Sequence, residues 1–217
     1  MQHHHEKLFL AGPAGALQAL YQPGESAGGT SLPAVVVCHP HPLFGGTMRN
    51  KVVYWMARAF EDRGCPVLRF NFRGVEESEG SWGDGHGEAE DVRAAVDWLA
   101  ARHPGAPLWL AGFSFGGYAG LLEARSDARL ERLFAVAPAV NHWSFDFMQG
   151  DARPLTIVQG TSDEIVPYDA VATWAATLPQ ARFYPIEGAG HFFPQHMQAM
   201  TEALLADAGL PEPAESL

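Results

Sequence analysis

A glycine-flanked serine, Ser114, is the residue of this 217-residue chain whose surroundings best suit nucleophilic chemistry. It lies at the centre of a G-x-S-x-G pattern at 112–116, after the apolar run 107–111 and before an apolar segment that opens with Gly117. Small residues on both sides allow such a serine to occupy a strained strand-to-helix turn, which exposes its hydroxyl above the sheet. Because the chain contains 23 glycines, the pattern alone is also compatible with a small serine in an ordinary tight turn.

A carboxylate and a histidine follow two later strand-like runs. Asp163 comes just after the β-branched run 155–160, and His191 follows the short run 181–186 and a loop of small residues. The ends of parallel strands emerge at one edge of a sheet, so we expect Ser114, Asp163 and His191 to converge there.

These three residue types together provide the chemistry of acyl transfer. A serine hydroxyl is a weak nucleophile at neutral pH and needs a neighbouring base. His191 would take the proton of Ser114 and return it to the leaving group, while Asp163 would hold the other ring nitrogen and stabilise the imidazolium. Taken singly, Asp163 is more simply a turn former and His191 a loop histidine, and Glu164 competes for the acid role. The joint order, each residue after its own strand, favours catalysis.

Strand-like and helix-like segments alternate along the chain. Helical spacing is clearest at 92–99, where apolar residues recur at three and four positions, and the strands are short apolar runs bounded by glycine or proline. The alternation predicts an α/β fold with a mostly parallel, doubly wound sheet of about seven to eight strands and helices on both faces. The predicted elements are an antiparallel edge hairpin at 7–10 and 16–21, a polar loop from Gly24 to Ser31, strands at 34–39, 66–72, 107–113, 131–137, 155–160 and 181–186, and helices at about 50–63, 88–102, 115–125, 168–178 and 194–208.

Length and composition predict one domain, 1–217, with flexible ends at 1–6 and 211–217. A formal net charge of −11 argues against nucleic acid and anionic membranes as partners, because polyanions would be repelled. We expect a small-molecule substrate instead. The chain shows neither a signal-peptide pattern nor the roughly 20 consecutive apolar residues that cross a bilayer, so a cytoplasmic location is expected.

No metal or organic cofactor is expected. His39 and His41 alternate along an extended segment, so their side chains would point to opposite sides, and no third ligand is near in sequence. The run His3–His5, whether it is a tag remnant or native sequence, does not make a defined metal site. Cys38 and Cys65 fall at opposite edges of neighbouring strands, which disfavours a disulfide between them.

Three segments carry a resemblance to a known superfamily. They are the G-x-S-x-G pattern at 112–116, the post-strand loop within 35–51 and the next strand at 69–74, Arg-Phe-Asn-Phe-Arg-Gly. Together with the chain order Ser, Asp, His, they make nearly the whole chain resemble the small, cap-less α/β hydrolases, namely bacterial serine hydrolases and esterases related to dienelactone hydrolase. The chain departs from that pattern at 75–80, where Val-Glu-Glu-Ser-Glu-Gly stands in place of further glycine.

The resemblance implies which acid is used and how open the site is. Gly-x-x-Asp-x-x-Val-Pro at 160–167 matches the family spacing and favours Asp163 over Glu164. The segment 139–154 is too short for the lid domain that related hydrolases commonly insert in this region. We therefore expect an open site that is covered only by loops.

Two backbone N–H groups would stabilise the oxyanion of the tetrahedral intermediate. One is expected from Phe115, the residue after the nucleophile. The other is expected from the loop after strand 34–39, in which the prolines at 40 and 42 have no N–H. His41 is the first choice, because related hydrolases with His-Gly-x-Pro loops place the donor two residues after the strand-end histidine, and Leu43 is the second.

Aromatic and thioether side chains gather on loops near the expected site. They would form a wall suited to an apolar acyl or alcohol group, or equally a local core that covers the sheet. The acidic loop at 76–79 is expected to be a solvated rim that disfavours anionic substrates. The predicted wall consists of Phe44, Trp143, Phe145, Phe147, Met148 and Phe192.

These observations lead us to expect a carboxylic-ester hydrolase of the EC 3.1.1 type that works through an acyl-enzyme on Ser114. The same machinery serves thioesterases, peptidases and dienelactone-type hydrolases, which remain alternatives. The alternative from a different class is a non-catalytic hydrolase-fold protein that binds a small ligand or another protein. The presence of all three polar residues disfavours that alternative.

Overall fold

The computed structural model describes residues 5–24 and 32–212. The predicted polar loop from Gly24 to Ser31 lies outside these ranges apart from Gly24 itself. Most of the predicted flexible ends, 1–6 and 211–217, also lie outside the described residues, but Glu6 already begins the first strand.

Strands and helices alternate through the described residues as predicted. Every predicted strand and helix is present, and the ends differ from the predicted ones by at most three residues. Each strand is a short apolar run, as expected where strands are covered on both faces. In chain order the elements are β1 (Glu6–Gly12), β2 (Gly15–Gln22), β3 (Ala34–Cys38), α1 (Lys51–Glu61), β4 (Val67–Phe70), α2 (His86–Arg102), β5 (Leu108–Phe113), α3 (Phe115–Ala124), β6 (Leu130–Val136), β7 (Leu155–Gly160), α4 (Tyr168–Ala176), β8 (Ala181–Ile186) and α5 (Met197–Leu205).

Within the described part of the chain, eight strands form one sheet in the order β1-β2-β4-β3-β5-β6-β7-β8. The strands β1 and β2 form an antiparallel edge hairpin, and β2 also pairs antiparallel with β4. All other neighbours, from β4 and β3 across to β8, are parallel. The predicted fold class, a mostly parallel doubly wound sheet, is confirmed.

The core has two halves, one on each face of the sheet. In β3 the side chains of Ala34, Val36 and Cys38 pack on the side of α2, α3 and α4, whereas Val35 and Val37 pack on the side of α1 and α5. Successive side chains of a strand point to opposite faces, so a strand covered on both sides is apolar at every position. The two halves of the core hold the sheet in place, and the loops that carry the candidate site residues emerge from the ends of its strands.

Two predictions about connections can be compared with the structure. Between β6 and β7 the chain forms loops and one short 3-10 helix, Asp146–Met148, and carries no lid domain. Cys38 and Cys65 are both buried and unbonded, as predicted.

None of the helices formed by the described residues combines the length and the apolar character that crossing a bilayer requires.

The loop that departs from the family pattern, 75–80, folds back onto β2. Its Ser78 hydroxyl accepts a hydrogen bond from the Gln18 N–H and donates one to the Asn71 carbonyl. Glu76 is one of the few non-glycine residues with a positive φ, 47°, and its carboxylate accepts from the Asn71 amide. The carboxylates of the acidic loop are exposed as predicted, but they also bond to β2 and to Asn71, just after β4, so the loop is a local brace.

Candidate active site

Ser114 stands at the turn between β5 and α3. Its backbone has φ 54° and ψ −117°, a region that costs a non-glycine residue about 1–3 kcal/mol. Two glycines make the turn possible: a Cβ on Gly112 would lie 2.3 Å from the Gly116 carbonyl oxygen, and a Cβ on Gly116 would lie 2.5 Å from the Cys38 carbonyl oxygen. The G-x-S-x-G spacing is therefore explained by close backbone approach, and it holds the serine hydroxyl at the edge of the sheet.

Asp163 follows β7, and its carboxylate is held by the backbone of its own turn. Its Oδ1 accepts hydrogen bonds from the N–H groups of Ile165, at 2.9 Å, and Val166, at 2.7 Å. Burial alone would raise the pKa of Asp163, but the hydrogen bonds from His191 and from these backbone groups bring the pKa below its usual value. The carboxylate is thus ionised at neutral pH despite its low exposure.

His191 follows β8 and connects the other two side chains. Its Nδ1 lies 2.8 Å from Asp163 Oδ2, and its Nε2 lies 3.2 Å from Ser114 Oγ. The imidazole is only 2% exposed and packs against the rings of Phe113 and Phe192. Because an ionised carboxylate can only accept, Nδ1 carries the hydrogen and Nε2 presents its lone pair to the serine hydroxyl.

The competing acid, Glu164, has a different position. Its carboxylate accepts a hydrogen bond from the His191 backbone N–H at 3.2 Å, and a Cβ on Gly190 would lie 2.7 Å from the same oxygen. Glu164 therefore holds the backbone of the histidine loop, whereas Asp163 bonds the ring. The structure brings together Ser114, Asp163 and His191 as the sequence predicted.

The loop after β3 passes directly over the start of α3. His39 is fully buried there: its Nδ1 donates to the Pro40 carbonyl at 2.6 Å, and its Nε2 accepts from the Phe72 N–H at 3.0 Å. Burial lowers the pKa of His39 to about 3, so the ring is neutral and braces the loop. His39 and His41 have different surroundings, and the described residues contain no group of three or more potential ligands arranged to hold a metal ion.

The predicted oxyanion donors differ in availability. The Leu43 N–H donates to His41 Nδ1 at 3.2 Å, so it already has an acceptor. Among the described residues, no acceptor is bonded to the backbone N–H of Phe115 or of His41. This difference favours His41 over Leu43 as the second donor, and the rings of His41 and Phe115 lie in contact, with centroids 4.9 Å apart.

The His41 ring is itself held in one tautomer. Burial, together with the neighbouring imidazole of His142, lowers the pKa of His41, so the ring is neutral near pH 7. Since Nδ1 accepts from Leu43, the hydrogen lies on Nε2. The ring stacks on Trp82 with centroids 4.6 Å apart.

A cavity of about 660 Å³ opens beside Ser114. Three of the predicted wall residues line it, Phe44, Trp143 and Phe192. The prediction did not include most of the other lining residues, because nothing in their spacing separates them from ordinary loop residues. These are Pro40, Gly45, Gly46, Asn50, Ala139, His142 and Ile165.

The other three predicted wall residues do not line this cavity. Phe145 and Met148 are buried in the core on the α4 side of the sheet, and Phe147 packs against that core. Phe145 meets the rings of Tyr118 and Trp174 edge-on, which anchors the segment between β6 and β7. The alternative interpretation, a local core that covers the sheet, therefore holds for these three residues and corrects the predicted pocket.

Comparison with known proteins identifies the family. Residues 17–154, more than half of the chain, match the model of a family described as X-Pro dipeptidyl-peptidase (S15 family). The chain belongs to this family of α/β hydrolases. The matched region of this α/β hydrolase includes Ser114 and ends before Asp163 and His191.

Individual relatives match more than nine-tenths of this α/β hydrolase. It is 34% identical over 208 residues to an uncharacterised protein of Rickettsia prowazekii (strain Madrid E), a match that covers 91% of this chain and 86% of that protein. The crystal structure of an α/β serine hydrolase without lid from Xanthomonas campestris is 36% identical and superposes with a TM-score of 0.86, over 100% of this chain and 99% of the other. An α/β serine hydrolase homologue from Coxiella burnetii is also 36% identical, with a TM-score of 0.87 over 93% and 96% of the two chains.

Proposed function

We propose that this α/β hydrolase cleaves carboxylic esters of small apolar molecules through an acyl-enzyme on Ser114. The observation that carries the proposal is the unbroken series of contacts from Asp163 through His191 to the serine hydroxyl, at 2.8 and 3.2 Å, beside a cavity of about 660 Å³. A base within hydrogen-bond reach of a nucleophile, oriented by a third group, is the arrangement that activates serine.

The steps follow from these contacts. As Ser114 Oγ bonds to the ester carbonyl carbon, His191 Nε2 accepts its proton and the carbonyl electrons move to the oxygen. The backbone N–H groups of Phe115 and His41 would stabilise that oxyanion. When the intermediate collapses, the alcohol leaves with the proton from Nε2, and water then repeats the sequence to release the acid. Asp163, ionised because of its lowered pKa, stabilises the imidazolium in both halves.

The cavity wall favours neutral, apolar groups on the substrate. Apolar surface comes from Phe44, Trp143, Phe192 and Ile165. No carboxylate is found among the described residues that line the cavity. A dipeptidyl peptidase must accommodate the charged N-terminal amine of its peptide, which a buried carboxylate would stabilise. The wall therefore supports an ester substrate over the X-Pro dipeptides named in the family description. The net charge of −11 supports a small molecule over a polyanion as partner.

Two chromogenic substrates test the proposal. We expect the protein to hydrolyse p-nitrophenyl esters and to leave Gly-Pro-p-nitroanilide intact, and we expect Ser114→Ala to abolish ester turnover without loss of folding. Ser162→Ala, a variant of an exposed serine next to Asp163, is the matched control and should retain wild-type turnover. Equal activity of Ser114→Ala and wild type would reject the mechanism, and cleavage of the anilide alone would reject the ester preference. A folded wild type that turns over neither substrate would favour the non-catalytic alternative.

A further inference from the structure

Gln159, the second-last residue of β7, is not among the site residues predicted from the sequence. Its side chain is fully buried, on a strand whose other residues are mostly apolar. The amide Nε2 donates to Asp163 Oδ2 at 3.0 Å and to the Val166 carbonyl oxygen at 2.9 Å. A polar side chain within a strand covered on both faces needs such partners, because an unpaired buried amide is costly.

The orientation of the Gln159 amide is determined by its partners. Both contacted atoms, a carboxylate oxygen and a backbone carbonyl oxygen, can only accept hydrogen bonds, so the nitrogen must face them. As a result the amide oxygen Oε1 is buried without a partner among the described residues. An apolar residue of similar size would avoid that unpaired oxygen, so the arrangement makes sense only if the two N–H donors matter.

The contact completes the shell of hydrogen bonds around Asp163. A carboxylate offers about four acceptor positions. Oδ1 takes the backbone N–H groups of Ile165 and Val166, and Oδ2 takes His191 Nδ1 and Gln159 Nε2. Gln159 is the one side chain of this shell, apart from His191, that can be changed without altering the backbone.

We propose that Gln159 is a positioning residue for Asp163. Its amide and the imidazole of His191 both donate hydrogen bonds to Asp163 Oδ2, so the two donors share this one acceptor. This inference rests on the proposed function, because it deepens the role of Asp163 in that site. The Gln159 amide holds the carboxylate in the plane that meets Nδ1, and it also withdraws negative charge from the oxygen that His191 uses. Without Gln159, Oδ2 would be a stronger acceptor for His191 alone, and the imidazolium would be stabilised more than in the wild type.

The test uses Gln159→Met, which keeps the length and approximate volume of the side chain and removes both N–H donors. We expect kcat for p-nitrophenyl acetate to fall about tenfold with little change in KM, because the Asp163 carboxylate is no longer held in the orientation that meets Nδ1, and this loss outweighs the stronger acceptor. We also expect the acidic limb of the kcat/KM profile to move to higher pH, because Asp163 Oδ2 would then bond the protonated imidazole more strongly. A merely structural role would lower activity without moving that limb.

The matched control is Thr156→Val on the same strand. Thr156 is 1% exposed and its hydroxyl has no hydrogen-bond partner among the described residues, so this variant removes a buried polar group that does not contact Asp163. Its kcat and pH profile should equal those of the wild type. If Gln159→Met does not fold, Gln159→Asn, whose amide is one methylene too short to reach both acceptors, should show the same directions with smaller size.

A readout independent of turnover separates this inference from the proposed function. The Nδ1–H proton of His191, bonded to a carboxylate, should give a low-field proton resonance in the folded protein. In Gln159→Met that resonance should move further downfield, and in Thr156→Val it should not move. An unmoved resonance together with an unmoved acidic limb in folded Gln159→Met would overturn the inference. An inactive wild type would overturn the proposed function, while the resonance would still test Gln159.

Discussion

The two sides of the cavity are built in opposite ways. On one side, the loops after β7 and β8 bury Asp163 and His191 and give each polar atom a defined partner. On the other side, the loop after β3 leaves Leu43 63% and Phe44 85% exposed. Proton transfer requires fixed geometry, whereas an apolar substrate requires only accessible apolar surface. In the proposed function, the buried loops after β7 and β8 therefore carry proton transfer, whereas the exposed side chains of the β3 loop contribute substrate contacts and its backbone contributes the second oxyanion donor.

The largest effect should come from the buried side. We expect His191→Ala to lower kcat for p-nitrophenyl esters by about 10⁴- to 10⁶-fold, because no other base lies within reach of Ser114 Oγ among the described residues. His142→Ala, a change of an exposed histidine that lines the same cavity, should cost less than about tenfold. Steady-state kinetics of both purified variants check this difference. Comparable losses in the two variants would contradict the division between the two sides.

The two neighbouring carboxylates provide the next comparison. Asp163→Asn should lower kcat by about 10⁴-fold, because an amide at this position would favour the wrong tautomer of the imidazole. Glu164→Gln keeps an oxygen that can accept the His191 N–H, so we expect a loss below about tenfold. Single-turnover kinetics with an activated ester measure both. A larger loss in Glu164→Gln than in Asp163→Asn would show that Glu164, and not Asp163, has the acid role.

The buried ring of His39, which braces the β3 loop, should affect how the stability of the protein depends on pH. His39 has a pKa of about 3 in the folded protein, owing to its burial, against about 6.5 in an unfolded chain. Between these pH values the His39 imidazole binds a proton in the unfolded chain but not in the folded protein. The free energy of unfolding therefore falls as pH decreases from about 6.5 to about 3. The expected slope from this residue is about 1.4 kcal/mol per pH unit.

Urea unfolding between pH 7 and pH 4.5 measures that slope. His39→Gln keeps an acceptor for the Phe72 N–H and removes the titration, so its curve should be flatter than that of the wild type. Other titrating groups are common to the two proteins and cancel. Parallel curves would show that His39 is not held neutral.

The smallest effect should come from the exposed side. Phe44→Ala removes apolar surface from the cavity mouth without touching Ser114, so we expect KM for p-nitrophenyl butyrate to rise about three- to tenfold with kcat nearly unchanged. Phe9→Ala removes another exposed ring that does not line the cavity and serves as control. A fall in kcat with unchanged KM would mean that the Phe44 side chain positions the reacting groups and does not only bind the substrate.

The fold and the positions of Ser114 and His191 could be predicted from local sequence patterns, and the choice of Asp163 over Glu164 came from the family resemblance. Apolar, β-branched runs predict the strands, and glycines mark where the strands end. The edge of a parallel sheet then brings Ser114, Asp163 and His191 together. The wall of the cavity was predicted only in part, since Phe145 and Phe44 look alike as loop aromatics and only tertiary packing buries one and exposes the other. Gln159 had a visible signal, a polar residue in an apolar strand, but its partner depends on the turn at 163–166.

Covalent labelling tests the central claim most directly. A fluorophosphonate probe that reacts with activated serines should form one adduct on the wild type, and peptide mapping by mass spectrometry should place that adduct on Ser114. Under the same conditions His191→Ala should remain unlabelled although it is folded. Labelling at another residue, or equal labelling of His191→Ala, would contradict the account.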